Sequence, residues 1–324
     1  MQSIEKYQKL FVGYLKDYTV NKEPNNLYDP INYILNLGGK RLRPVLTLMT
    51  AEVFDTNYTE ALDAALAVEV FHNFSLVHDD IMDAAPLRRG KTTVHEKWDL
   101  NTGILSGDAM LILAYQLFEN YDKEVFRDLA KLFSKTALKV CEGQQYDVDF
   151  ETREDVTIPD YLKMIEYKTA VLVGAAMQMG AIIADANPEN KQAIYEFGLN
   201  LGIAFQLQDD YLDAFGNPKT FGKQVGGDIL ENKKTYLYLK TFELGSATDK
   251  FNLLRFMNST TLSDGAKINQ VKTLFNKTKA SEATLQAVKS YTDKAFDVLE
   301  SISISEDKKT LLKRFGQQLM TRRV

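Results

Sequence analysis

A single cysteine, Cys141, stands among 324 residues, which excludes an intramolecular disulfide and suits a reducing compartment without requiring one. It falls in a helical pattern and reads as a small buried hydrophobe, not a nucleophile. Histidine is also scarce, with three residues. His78 precedes a run of carboxylates but has no cysteine nearby, so a structural role is favoured over zinc; His95 and Trp98 carry no readable pattern. A basic surplus is missing: the net charge is −5, which argues against nucleic acid as a partner. The longest nearly apolar stretch, 170–184, is too short for an untilted membrane span and contains Gln178. The beginning, Met1-Gln2-Ser3-Ile4-Glu5-Lys6, is charged early and has no apolar signal core. Hydrophobic residues make up 45%, enough for a sizeable core. These features fit a cytoplasmic enzyme with no transmembrane segment.

Proline is limited to seven residues. Asp29-Pro30 and Asn187-Pro188 each read as an N-cap followed by Pro at the first helical position, and Pro86 closes a helix. Between such stops the apolar spacing predicts helices over roughly 45–54, 60–83, 101–120, 123–150, 159–184 and 189–214. Period-two alternation is absent. No linker rich in Pro, Gly or Ser divides the chain, and 246–266 reads as a loop plus a short helix. The expectation is an all-α fold, one domain over 1–324. Gly174, Ala175, Ala176, Gly180 and Ala181 would let helices approach closely.

Two acidic clusters stand out, Asp79-Asp80-Ile81-Met82-Asp83 and Asp209-Asp210-Tyr211-Leu212-Asp213. Each follows an apolar run, 68–77 and 199–207, where packing alone does not call for carboxylates. On a helix the first and last Asp of each cluster share a face. Two such charges about 4 Å apart repel by roughly 4 kcal/mol at an effective dielectric of 20. A hard divalent cation removes that cost, and Mg²⁺ favours one or two carboxylates plus waters and substrate phosphates. Two facing clusters would make a metal-dependent diphosphate site.

Basic residues complement them in four places: Gly38-Gly39-Lys40-Arg41-Leu42-Arg43-Pro44, Arg88-Arg89-Gly90-Lys91, Tyr167-Lys168-Thr169, and Gly222-Lys223-Gln224-Val225-Gly226-Gly227-Asp228-Ile229 with Lys233 and Lys234. Arginine forks grip phosphate oxygens in pairs, and lysine supplies a point charge. Each stretch alone would read as solvated surface charge. Lys168 resists that reading: it enters the apolar run 170–176 and would want an anion there. Other catalytic frames fail. Gly90-Lys91-Thr92 lacks the earlier glycine of a P-loop, with Ala85 in its place, and Ser106-Gly107 has no Gly-x-Ser-x-Gly frame.

In this order, over roughly 200 residues, these motifs resemble the trans-isoprenyl diphosphate synthases of the polyprenyl synthetase family. The resemblance implies a bundle of long helices around a deep central cavity, paired as a homodimer. It implies three Mg²⁺ ions held by Asp79, Asp83 and Asp209, with Asp80, Asp210 and Asp213 acting more through waters. Arg88, Lys168 and Lys223 would contact the allylic diphosphate. Lys40, Arg43, His72 and Arg89 would hold isopentenyl diphosphate. Thr169 and Gln206 would face the developing allylic cation, and Lys233 would arrive as a loop at 215–235 closes.

Such chemistry ionises an allylic diphosphate (C5–C15) in a water-poor site and lets the double bond of isopentenyl diphosphate attack the cation. The departing diphosphate can take the released proton, so no side-chain base is needed. Phe74, five residues before Asp79, lies about 7.5 Å below the metal cluster at the helical rise. The resemblance makes Phe74 and Ser75, with Phe71 beside them, the floor that stops chain growth. Bulky Phe74 with small Ser75 suggests a C15 to C20 product, favouring C20. Three alternatives stay open at this point: a terpene cyclase, whose second metal motif would carry Asn, Ser or Thr and Glu; a non-catalytic subunit of a heteromeric synthase; and a simple diphosphatase.

Overall fold

The computed structural model describes residues 3–216 and 225–321, apart from the side chain of Thr321. It is all-α. Among the described residues the one extended pairing is antiparallel, β1 (Leu87–Arg88) with β2 (Lys91–Thr92). Contacts divide the chain into two compact units, one of Met1–Thr136 with Ala175–Tyr195, the other of Ala137–Gly174 with Glu196–Val324.

The first unit contains α1 (Ile4–Asp17), α2 (Asn25–Asn36), α3 (Leu42–Val53), α4 (Leu62–Met82), α5 (Val94–Lys97), α6 (Leu100–Gln116), the start of α7 (Lys123–Thr152), most of α9 (Val171–Ile183) and the start of α10 (Pro188–Phe215). Helix α4 is apolar around its whole circumference and buries Ala64, Ala65, Leu66, Ala67, Val68, Val70 and Phe71 completely, the pattern of a central core helix. It packs on α3 and α6. Each fully buried Leu, Val or Phe adds about 1.5–3 kcal/mol, which holds α4 in the core. Helix α6 turns small residues inward, burying Gly103, Ser106, Gly107, Met110 and Ala114. Its larger Ile104, Leu105 and Ile112 are exposed.

Helix α2 departs from expectation. It starts at Asn25 after Pro24, and Pro30 lies inside it, not at its first position. Pro30 forfeits one intrahelical hydrogen bond, offset by burial of its ring with Ile31, Ile34 and Leu35.

The second unit contains the end of α7, α8 (Ile158–Ile165), part of α9 (Val171–Ile183), the rest of α10 (Pro188–Phe215), α11 (Gly227–Leu230), α12 (Tyr236–Leu244), α13 (Ala247–Met257), α14 (Asp264–Lys277), α15 (Ala280–Ser301) and α16 (Glu306–Thr321). One core gathers Tyr161, Met164, Ile165, Ala170, Ile203 and Leu207; another gathers Ala214, Ile229, Leu237, Leu253, Val271 and Phe275. The helix expected over 159–184 is interrupted by a single π-turn, Glu166–Ala170, between α8 and α9. At the start of α10, Asn187 caps as expected, its side chain accepting from Asn190 N at 2.8 Å. Cys141 is exposed, contrary to expectation; the buried line of α7 runs through Leu129, Phe133, Thr136, Val140, Gly143 and Phe150, and the residue after Val140 turns about 100° away from it.

Candidate active site

In the first unit, Asp79 and Asp80 occupy the last turn of α4, and Asp83 is its C-cap, with its N–H on Asp79 O at 2.9 Å. Asp79 is half-buried, Asp83 exposed, and Asp80 only 1% exposed. The β-hairpin brings Arg88 back onto the cluster. Its Nε and Nη2 donate to Asp80 Oδ1 at 2.8 and 2.5 Å, and Nη2 reaches Asp79 Oδ2 at 3.3 Å. Burial pushes the Asp80 carboxyl up despite the opposing pull of Arg88. Asp80 Oδ2 is buried without a hydrogen-bond partner.

The basic group of this unit forms where two left-handed loops meet. Gly38, Gly39 and Arg41 have φ of 82°, 124° and 50°; Arg89 and Gly90 have 54° and 73°. Arg89 Nη1 donates to Gly38 O. A Cβ on Gly39 would stand 2.8 Å from Arg89 Cζ, so glycine serves here both for its φ and for the space it leaves. Arg43 Nη1 lies 3.3 Å from His72 Nε2. His72 is held neutral, first by burial and then by repulsion from Arg43, Arg89, Arg88 and Arg41. Arg41 is neutralised within the core by Glu69, and Lys40 is exposed. Lys40, Arg43, His72 and Arg89 thus all belong to this unit, and Arg43, His72 and Arg89 interact as a group suited to an anion.

Below the acidic cluster, Phe74 is 8% exposed. Its ring lies 5.4 Å from Phe71 and 4.8 Å from His78. Phe71 is backed by Phe133 at 5.0 Å, and Ser75 Oγ donates to His72 O at 2.8 Å. His78 has a structural setting, its Nε2 lying 3.2 Å from Ile104 O.

In the second unit, Asp209, Asp210 and Asp213 lie on the last turns of α10. Asp210 is buried and receives Tyr161 Oη–H and Gln206 Nε2, the latter at 3.0 Å. Burial, then the charge of Asp228, drives its carboxyl well above the usual range. Thr169 Oγ1 donates to Gln206 Oε1 at 3.2 Å, so the two residues expected at the allylic cation are bonded to each other. Asp213 anchors the following chain, accepting Gly226 N through its carbonyl at 2.6 Å and Asp228 N through Oδ2 at 3.1 Å. Lys168 Nζ donates to Asp147 Oδ2 at 2.5 Å. Lys233 Nζ lies 2.9 Å from Glu231 Oε2; burial disfavours its charge, but Glu231, Asp228 and Asp147 outweigh that and raise it. Lys223 lies outside the described residues, as does part of the 215–235 segment read as a closing loop.

The two clusters share one design. In each, the second Asp is turned into the protein and held by a side-chain donor, Arg88 or Tyr161, while the first stays half-buried. Sequence reasoning missed Asp147, Tyr161 and Asp228. Asp147 follows Gly143 by one helical turn and Asp228 follows Gly226-Gly227, signals that were present; Tyr161 offered none.

The donor set suits a hard cation: oxygen only, with a buried acceptor, Asp80 Oδ2, lacking a partner. Among the described residues no three His, Cys, Asp or Glu side chains converge to hold a metal by themselves. Mg²⁺ takes one or two carboxylates and fills its other positions with water and phosphate oxygens. No described helix is long and apolar enough to cross a membrane.

The polyprenyl synthetase family model matches residues 24–277. The chain is 42% identical over 230 residues to a geranylgeranyl diphosphate synthase of Methanosarcina mazei, covering 70% of this chain and 71% of that one. It is 40% identical over 242 residues to a geranylfarnesyl diphosphate synthase of Natronomonas pharaonis, covering 69% and 71%. A crystal structure of a geranylgeranyl pyrophosphate synthase superposes with a TM-score of 0.95 at 56% identity, covering 99% of both chains.

Proposed function

The chain belongs to the polyprenyl synthetase family, and from that premise we propose that it extends allylic diphosphates with isopentenyl diphosphate to a C20 product. It is a short-chain prenyltransferase with the all-α isoprenoid synthase fold. The observation that carries the proposal is the shared design of the clusters: in each, one Asp is committed to the protein and another is left nearer solvent. A cyclase would need only one diphosphate, whereas Arg43, His72 and Arg89 offer a second anion a separate cationic pocket.

The roles divide accordingly. Asp79, Asp83 and Asp209 would hold Mg²⁺, three ions in all, with Asp80, Asp210 and Asp213 behind them. Bound Mg²⁺ supplies positive charge where the leaving diphosphate gathers negative charge. Arg88, Lys168 and Lys223 bind the allylic diphosphate; Arg88 can do so by exchanging its long contact to Asp79 while keeping Asp80. Lys40, Arg43, His72 and Arg89 bind isopentenyl diphosphate. Thr169 and Gln206 present oxygens to the allylic cation, and Lys233 completes the closed state by leaving Glu231. We propose that the whole chain works as one cytoplasmic synthase domain.

The test is a chain-length assay: purified protein, Mg²⁺, labelled isopentenyl diphosphate and C5, C10 or C15 starters, with products resolved by mass. Extension of every starter to C20 supports the proposal, and no incorporation by folded protein would sink it. In the same assay Phe74→Ala should yield products longer than C20, because it removes the ring that packs on Phe71, itself backed by Phe133. An unchanged spectrum would mean that Phe74 is not the floor.

Homodimerisation is the further expectation. Its support is the outward apolar face of α6, where Ile104, Leu105 and Ile112 are exposed and lone surface hydrophobes would be scattered instead. Light scattering should return twice the 36.7 kDa chain mass, and Leu105→Asp should shift it toward one chain. A wild-type protein that runs at a single chain's mass would refute the pairing.

A further inference from the structure

We infer that Asp147 is a positioning residue for the reaction, setting the direction of Lys168. The inference rests on the role given above to Lys168. Lysine has a flexible four-carbon stem, so its ammonium has no fixed direction unless a partner holds it. Lys168 is half-buried, with its side chain 28% exposed, and Asp147 beside it is 26% exposed. Their 2.5 Å contact aims the ammonium. An ammonium has three N–H donors, so Lys168 can keep Asp147 and meet a phosphate oxygen at the same time.

The backbone shows that this pairing is built in. Lys168 and Thr169 lie in the π-turn Glu166–Ala170, a feature often found at functional sites because it re-aims side chains. That turn is pressed against α7 at Gly143, where an added Cβ would stand 2.6 Å from Tyr167 C and 2.7 Å from Lys168 Cα. Asp147 is one helical turn beyond Gly143, on the same face of α7. Gly143 thus sets the distance between the two backbones, and Asp147 takes up the lysine that the close approach delivers. Asp147 also adds to the negative field at Lys233 and at Tyr161, so its charge is felt by other groups assigned to the site.

A double-mutant cycle in the condensation assay tests this. Asp147→Asn keeps the shape and removes the charge; kcat should fall about 30-fold, with KM for isopentenyl diphosphate within about twofold of wild type. Lys168→Ala should fall further, and the double variant should lie within about threefold of Lys168→Ala alone, since Asp147 then has nothing to position. Asp147→Glu should regain part of the lost kcat, and the thermal midpoint of every variant should stay near that of wild type. If the two losses multiply in the double variant, or if Asp147→Asn keeps wild-type kcat beside an impaired Lys168→Ala, the inference is overturned. A Lys168→Ala variant with near wild-type kcat would instead remove the role of Lys168 on which the inference stands.

Discussion

Asp209→Asn should lower the turnover of condensation by about three orders of magnitude, and Asp79→Asn by a similar factor. Neither loss can be made good by a neighbour. Asp210 is turned inward onto Tyr161 and Gln206, and Asp80 is gripped by Arg88. An amide keeps the shape of the carboxylate but not the charge that a hard cation needs. Folding should be preserved, because each substitution removes a negative charge from a cluster whose members repel one another. The informative measurement is kcat at saturating Mg²⁺ together with the thermal midpoint. Turnover within tenfold of wild type, in a protein that still melts normally, would show that these carboxylates are not the metal ligands.

Gly143→Ala should cost more activity than stability. Replacing glycine in a helix interior gains about 1 kcal/mol of helix propensity. Against that, the new methyl runs into Lys168 N and meets Tyr167 C and Lys168 Cα at 2.6 and 2.7 Å, and overpacking of this kind costs about 1–3 kcal/mol. Since the obstacle is backbone, no side chain can rotate aside, and α7 must retreat from the π-turn. The net stability change is therefore small, about 0–2 kcal/mol. The shift carries Lys168 and Thr169 with it, and kcat should drop by at least about 100-fold, since misplacing a reacting group by 1 Å can cost that much. Activity within threefold of wild type would show that the turn tolerates the retreat.

Much of this was legible in the chain because its long helices are set by apolar spacing. The helix expected at 60–83 became Leu62–Met82, and the one at 189–214 became Pro188–Phe215. What misled were local signals overruled by packing. Pro30 looked like a helix start, yet α2 begins five residues earlier and buries the ring. The π-turn rotates the following face by about 100°, but the run 170–184 is apolar nearly all round, so the rotation leaves no mark in its periodicity. Cys141 missed the buried line of α7 by one position. At the site, Lys168 was seen to need an anion, but naming Asp147, 21 residues upstream, required the tertiary contact. The family resemblance set Asp80 and Asp210 apart from the expected direct ligands, but their holders, Arg88 and Tyr161, came only with the tertiary contacts.

Both acidic clusters lie in the closing turns of their helices, and neither α4 nor α10 has a basic residue in its last turn. The carbonyl end of a helix already carries about half a negative charge, which penalises carboxylates there by about 0.3–1 kcal/mol each at exposed positions. Function has thus placed anions where the helix macrodipole opposes them. The protein should therefore melt lowest in chelating buffer and gain heat stability as divalent cation and diphosphate are added together, following mass action on the native state. In a cell, the enzyme's resistance to unfolding and proteolysis would then rise with the supply of its own substrate.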